Sequence, residues 1–136
     1  MVALPDSALA LLELTVYGHV VTRNRDGTPQ VTMVWVEADG GDLLFNTAEG
    51  RQKVRNLRRD PQIIVSVHDI ENPQQYLLVQ GTATISSEGA DAQVDRLAKK
   101  YLGVDSYPWR GRGEQRRMVR VAIERIGGSG PWVAAS

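Results

Sequence analysis

The residues best suited to chemistry lie between positions 50 and 61, where the sequence reads GRQKVRNLRRDP. Its pattern predicts a short helix that buries Val54 and Leu57. Arg51 and Lys53 then fall at the start of that helix, where unpaired N–H groups already present a partial positive charge. Each cation at this end costs about 0.3–1 kcal/mol of stability. The placement therefore needs a reason.

Two interpretations of this basic segment remain open from the residues alone. Arg51, Arg55 and Arg59 are four apart, as expected for a solvated basic face of a helix. Alternatively, the segment is a phosphate site, because an anion at a helix N-terminus accepts bonds from the free N–H groups and from nearby Arg or Lys side chains. Gly50 would then let the backbone approach the phosphate closely.

Composition limits the classes of function. The chain has 136 residues, of which 42% are hydrophobic and 24% charged, which is typical of one globular domain. Sixteen basic residues balance sixteen acidic ones, so neither a nucleic acid nor a membrane surface is expected as a partner. There is no cysteine, which excludes disulfides and thiolate sites. No signal peptide and no membrane-spanning run is recognised, so we expect a cytoplasmic protein.

The rest of the chain predicts a single domain, 1–136, of the mainly β (α+β) class. Strands are predicted at 15–23, 30–37, 42–47, 62–67, 76–85 and 117–125, and helices at 5–12, 50–59 and 90–102. Short turns between alternating strands favour a small antiparallel barrel with flanking helices. In the second strand, Val31, Met33 and Trp35 are predicted to face the core. The tail from about residue 127 is predicted to be loose.

The order of several motifs resembles the flavin-binding split-barrel superfamily, whose best-known member is pyridoxamine 5′-phosphate oxidase. The motifs are GTPQVT at 27–32, LFNT at 44–47, RQKVRNLRRDP at 51–61, Tyr76 and Val79 followed by GTA at 81–83, and KKYLGVDSYPWR at 99–110. The resemblance covers about residues 9–126. It is strongest to the actinobacterial branch that uses the deazaflavin coenzyme F420.

This resemblance implies a homodimer of six-stranded antiparallel split β-barrels, of the FMN-binding type, with cofactor sites in the grooves between subunits. Arg51 and Lys53 would hold the cofactor phosphate, assisted by Arg55 or Asn56. The ring system would lie along Gln30, Thr32 and Val34, with Asn46 and Thr47 at its polar edge and Tyr76 and Gln80 as further wall residues. The other subunit would complete the site, and Tyr107, Pro108, Trp109 and Arg110 are the first candidates for that wall.

The function implied is an F420H2-dependent reductase that transfers a hydride from the reduced deazaflavin to an electron-poor conjugated small molecule, such as an enone or a quinone. An FMN-dependent oxidase or reductase is the alternative, and a non-catalytic flavin- or F420-binding protein is a third class. The anionic tail of F420 favours further basic residues, and five are available: Arg55, Arg58, Arg59, Arg110 and Arg112.

No catalytic residue is assigned from the sequence. The available proton donors are Tyr17, His19, His68, Tyr76, Tyr101 and Tyr107. Both histidines are expected to be structural or surface residues. Two distant histidines without cysteines give no metal-ligand pattern, so no metal is expected. Trp109 and Trp132, in segments rich in Gly and Pro, are predicted to cover a ligand.

Overall fold

The computed structural model describes residues 2–133. Within that range, six strands close an antiparallel barrel in the order β1-β2-β3-β6-β5-β4, with three helices outside it. The elements are α1 Asp6–Glu13, β1 Tyr17–Arg23, β2 Pro29–Asp39, β3 Asp42–Ala48, α2 Gln52–Arg59, β4 Gln62–His68, β5 Tyr76–Ser86, α3 Ala90–Leu102 and β6 Arg116–Ser129. The predicted mainly β split barrel is confirmed. None of the helices in this range is long and apolar enough to cross a membrane.

The inward and outward faces of β2 are the reverse of the prediction. Val34 and Val36 are buried inside the barrel, whereas Val31 and Met33 are 57% and 60% exposed. Both faces of this strand are apolar, so alternation alone does not identify the buried one. Strand pairing decides which face of β2 is buried, because Val36 lies opposite Phe45 of β3, and Phe45 is fully buried.

The glycine of the GTA triplet in β5, Gly81, is required by the close approach of the neighbouring strand β6. A Cβ atom on Gly81 would lie 2.2 Å from the carbonyl oxygen of Ala122 in β6. The register between the two strands shifts between Gln80 and Gly81, which brings the backbones this close. Only glycine fits this position.

The C-terminal segment is ordered through residue 133, so the prediction of a loose tail is wrong there. Strand β6 continues to Ser129, where Gly127 and Gly128 pair with β5. Beyond it, Trp132 is 8% exposed in the hydrophobic core, and its indole N–H donates to the carbonyl oxygen of Tyr76 at 2.9 Å. Trp132 therefore packs in the core and does not cover a ligand. The last three residues of the predicted tail, 134–136, lie outside the described residues.

The two later helices begin and end close to their predicted positions. In α2, Val54 and Leu57 are buried against the barrel, as predicted. Helix α3 spans the predicted residues and ends at Gly103, whose φ of 72° is in the left-handed region. These segments were predictable because helix periodicity and end signals are local.

Replacing Trp132 by alanine should lower the free energy of unfolding by about 3 kcal/mol, because a buried aromatic side chain and its hydrogen bond are lost. Urea unfolding followed by circular dichroism measures the loss. The matched control is Trp109→Ala, which removes an indole that is 62% exposed and should cost much less. Equal losses in the two variants would contradict the docking of the C-terminal segment.

Candidate functional site

A cleft of about 210 Å³ lies where the end of β3 meets the start of α2, beneath α3 and the loop that follows it. It is lined by Tyr17, Met33, Val34, Trp35, Asn46, Thr47, Ala48, Arg51, Lys53, Val94, Leu97, Tyr107, Trp109 and Arg116. Many of the predicted site residues are thus brought together although they are distant in the sequence. Tyr107 and Trp109 line the cleft of the same chain as Arg51 and Lys53, so they need not come from another subunit.

The cations at the start of α2 lack carboxylate partners. Arg51 precedes the first helical residue, and the first turn contains no acidic residue. Lys53 is 8% exposed, and its pKa is lowered from 10.5 by burial and then by the positive charges of Arg51 and Arg116. None of the ion pairs among residues 2–133 involves Arg51 or Lys53. A buried charge without a partner is unfavourable, so this end of the cleft is suited to an anion.

Arg116 is a third cation in the cleft, and the sequence analysis missed it. Its guanidinium is 8% exposed, donates from Nε to Asn46 Oδ1 at 2.8 Å, pairs with Glu114 and lies 4.9 Å from the Tyr107 ring centre. The Asn46 amide in turn donates to Gln93 Oε1 at 2.8 Å. Burial raises the pKa of Glu114, but the Gly111 N–H and the charges of Arg116 and, to a smaller extent, Arg51 outweigh it, so the pKa is lowered.

The signal for Arg116 was weak in the sequence. The last strand was predicted to begin at Arg117, one residue too late, so Arg116 was assigned to no element. Its contact with Asn46 spans seventy residues and depends on the pairing of β3 with β6. Asn46, predicted to lie at the polar edge of a ring, lines the cleft, and its side-chain oxygen accepts from Arg116.

Aromatic side chains form one wall of the cleft. Trp35 stacks on Tyr101 at 5.1 Å between ring centres, and it lies 6.0 Å from Tyr107 and 6.2 Å from Trp109. The Tyr107 and Trp109 rings meet edge to face at 6.0 Å. Trp35 was predicted to lie in the core, but it faces outward on β2 and packs against α3 and its following loop. The cleft therefore offers flat apolar surfaces beside its cations.

Asn56 and Gln30, both predicted to contact a cofactor, belong instead to a polar network at the end of the barrel. Asn56 is fully buried and donates to Thr22 Oγ1 at 3.0 Å and to Asn24 Oδ1 at 2.9 Å. Thr22 donates to Gln30 Oε1 at 3.1 Å. Buried polar groups need such partners, which accounts for Asn56 within the RNLRR motif without a ligand.

Six other residues predicted for the cofactor site or its wall also lie outside the lining of this cleft. They are Thr32, whose hydroxyl is buried; Arg55, which donates to Gly50 O and Gln52; Tyr76, opposite Ser129; Gln80, in another concavity; Pro108, between the lining residues Tyr107 and Trp109; and Arg110, paired with Asp91 and Asp95. The concavity at Gln80 is larger, at about 410 Å³, but Arg23 is its one lining cation and no aromatic side chain lines it. We therefore consider the smaller cleft, with its cations and aromatic wall, the better candidate site.

Two of the six candidate proton donors, Tyr17 and Tyr107, line the cleft. Burial raises the pKa of Tyr101 to about 12, and its hydroxyl donates to Val16 O, so it has a structural role. The two histidines, His19 and His68, stack on each other at 6.0 Å and do not line the cleft. No group of three or more potential metal ligands occurs within residues 2–133.

Comparison with known proteins identifies the family of the chain and structures of similar fold. The family model for pyridoxamine 5′-phosphate oxidase matches residues 4–129. The structure is similar to that of an F420 reductase, with 34% sequence identity and a TM-score of 0.79, covering 90% of this chain and 98% of that one.

Two more distant structures share the fold. One is a conserved hypothetical protein from Mycobacterium tuberculosis, with 21% identity, a TM-score of 0.70, and coverage of 92% of this chain and 84% of that chain. The other is HupZ from Group A Streptococcus, with 19% identity, a TM-score of 0.69, and coverage of 97% of this chain and 98% of that chain. The match over nearly the whole length shows that this chain belongs to the pyridoxamine 5′-phosphate oxidase family.

Proposed function

We propose that the protein is an F420H2-dependent reductase that passes a hydride to an electron-poor conjugated small molecule, such as an enone or a quinone. The observation that carries the proposal is the pair Arg51 and Lys53, without carboxylate partners, at the start of α2 in a cleft with an aromatic wall. The 34% identity to an F420 reductase over 90% of the chain supports the choice of cofactor.

The residues of the cleft fit an anionic cofactor. Arg51, Lys53 and the free N–H groups of α2 would hold its phosphate, because Lys53 is buried among like charges and gains most from a bound anion. Val34 and Thr47 would lie along its ring system. When bound, the reduced deazaflavin supplies the hydride. The residues of the chain would bind and orient the cofactor and exclude water from the cleft. Tyr107 and Trp109 form the wall against which an acceptor would lie.

The arginines of α2 favour F420 over FMN. Arg58 is neutralised by Glu49, whereas Arg55 donates to neutral partners, Gly50 O and Gln52. Arg59 likewise donates to the carbonyl oxygen of Arg23. These two arginines lie outside the cleft lining, on the same helix as Lys53, and have no carboxylate partner, which suits a cofactor whose longer anionic tail extends beyond the cleft. An FMN-dependent oxidase or reductase remains the second candidate, since the family match is to pyridoxamine 5′-phosphate oxidase.

We also propose that a second copy of the chain completes the site. The cleft, at about 210 Å³, is smaller than the ~300–1,000 Å³ usual for ligand pockets. On its open side, the outer face of the barrel exposes Val31, Met33 and Ile64 by 57%, 60% and 38%. Met33 belongs both to this apolar face and to the cleft, so a partner on that face would extend the cleft wall.

Removing either Arg51 or Lys53 should weaken cofactor binding by about tenfold or more, because each variant loses a charge-assisted hydrogen bond to the phosphate. The test is spectroscopic titration of wild type, Arg51→Ala and Lys53→Ala with oxidised and reduced F420, and then with FMN. Arg58→Gln is the matched control, since Arg58 lies on the same helix but pairs with Glu49. Tighter binding of FMN would favour the second candidate. No affinity for either cofactor, with both variants equal to wild type, would refute the proposal.

Lys53→Met should stabilise the ligand-free protein at neutral pH by about 1 kcal/mol, because it removes a buried, unpaired charge. The pKa of Lys53 is lowered in the folded state, so its cost is fully present below the folded pKa and disappears as pH rises towards 10.5. The advantage of the variant should shrink over that alkaline range. Thermal unfolding across pH measures it.

The same measurement in excess inorganic phosphate separates a binding site from a packing defect. Phosphate should raise the unfolding temperature of wild type and have little effect on Lys53→Met. Lys99→Met, at a side chain that is 67% exposed, serves as the control and should change stability little. A Lys53→Met variant that is less stable than wild type without phosphate would show that Lys53 is mainly structural.

A further inference from the structure

The loop of residues 104–113, between α3 and β6, is fastened to α3 by four polar contacts, which form a ladder of three rungs, one at each of three helix residues. The helix contributes Asp91, Asp95 and Lys99, which are four residues apart and so lie on one face. The contacts are Asp91 with Arg110 Nη1 at 2.7 Å, Asp95 with Arg110 Nη2 at 3.1 Å and with the Tyr107 N–H at 2.9 Å, and Lys99 with Asp105 at 3.1 Å.

The rungs of this ladder are unequal. Lys99 and Asp105 are 67% and 96% exposed, so water and salt screen their attraction almost completely. Asp95 and Arg110 are 37% and 35% exposed, and Asp95 also accepts a backbone hydrogen bond from Tyr107. A hydrogen bond to a charged group contributes more than an exposed ion pair. Asp95 is therefore the main attachment point of the loop.

The attachment points lie on either side of the aromatic residues of the loop. Asp95 binds the backbone of Tyr107 and the side chain of Arg110, so Trp109 lies between the two contacts. The Tyr107 ring is further held by Arg116 at 4.9 Å. The Trp109 ring centre lies 6.2 Å from that of Trp35 and 6.0 Å from that of Tyr107, but Trp109 is 62% exposed and lines the cleft. Its position therefore depends on how firmly the loop is held.

We propose that Asp95, although outside the cleft lining, is a positioning residue that holds Tyr107 and Trp109 over the cleft and thereby sets its specificity. A flat conjugated ring large enough to stack on the Trp109 indole is the class of acceptor that this arrangement selects. A small acyclic acceptor gains little from the indole. The nature of the acceptor depends on the proposed reductase function, whereas the holding of the loop depends only on the contacts with α3.

The holding of the loop is testable without any cofactor. In ligand-free Asp95→Ala, the Tyr107 amide should exchange with solvent about five- to tenfold faster than in wild type, because its acceptor is lost. Acrylamide quenching of the Trp109 fluorescence, assigned with Trp109→Phe, should rise as well. Asp95→Asn keeps an oxygen for the Tyr107 N–H and should give a smaller change. NMR hydrogen exchange and fluorescence quenching are the two measurements.

Two controls separate this effect from a general loss of α3 stability. Arg96→Gln removes the bidentate pair of Arg96 with Glu37, at 2.9 and 3.0 Å, which does not involve the loop. Lys99→Gln removes the most exposed rung. Neither control should change Tyr107 exchange. Unchanged exchange in Asp95→Ala, or equal acceleration in Arg96→Gln, would overturn the positioning role whatever the cofactor proves to be.

The specificity is tested with the loaded enzyme. Asp95→Ala should raise KM for a planar quinone about five- to tenfold, with kcat and cofactor affinity changed less than about twofold, since the reacting groups are untouched. KM for a small acyclic enone should stay near the wild-type value. Trp109→Ala should raise the quinone KM similarly, and the double variant no further. Equal effects on both acceptors, or a loss confined to kcat, would overturn the specificity role.

Discussion

An excess of positive charge, with three cations and Glu114 as the one ion-paired carboxylate among the described residues around them, is the constraint around which the site between β3 and α2 is built. Lys53 is buried beside Arg51 and Arg116, and its pKa is lowered first by that burial and then by the two neighbouring positive charges. A sequence selected only for stability would replace such a lysine with an apolar residue. Its retention fits a protein whose resting state is strained electrostatically so that an anion relieves the strain.

The barrel makes this arrangement possible by fixing the surroundings of the charges. Gly50, with a φ of 91°, turns the chain from β3 directly into α2. Asn46 holds the Arg116 guanidinium from the side, and Gln93 of α3 holds Asn46. The side chains that hold Arg116 are thus themselves held by hydrogen bonds, so the cation has little freedom to move away. Rigid support of this kind keeps like charges together despite their repulsion.

The aromatic wall depends on α3 in a similar way. Lys100 donates to the carbonyl oxygens of Leu12 in α1 and Val36 in β2, and Tyr101 donates to that of Val16 just before β1, which fixes the helix over β2. Trp35 then stacks on Tyr101, and the loop after α3 lays Tyr107 and Trp109 beside it. Helix α3 therefore supports both Asn46, which holds Arg116, and the aromatic wall of the cleft. The cleft lies where the supported cations and the aromatic wall come together.

The sequence by itself determined the strands, α3 with its glycine end, and the unusual cations of α2, because periodicity, turn residues and end signals act over a few residues. Tertiary structure alone decided which face of β2 is buried, since both faces are apolar. It also paired Asn56 with Thr22 and brought Arg116 to Asn46 across seventy residues. Trp132 entered the core for the same reason: its partner, the backbone of Tyr76, is distant in sequence and is brought near only by strand pairing. Local patterns identified which groups carry charge, whereas barrel closure decided which of them meet.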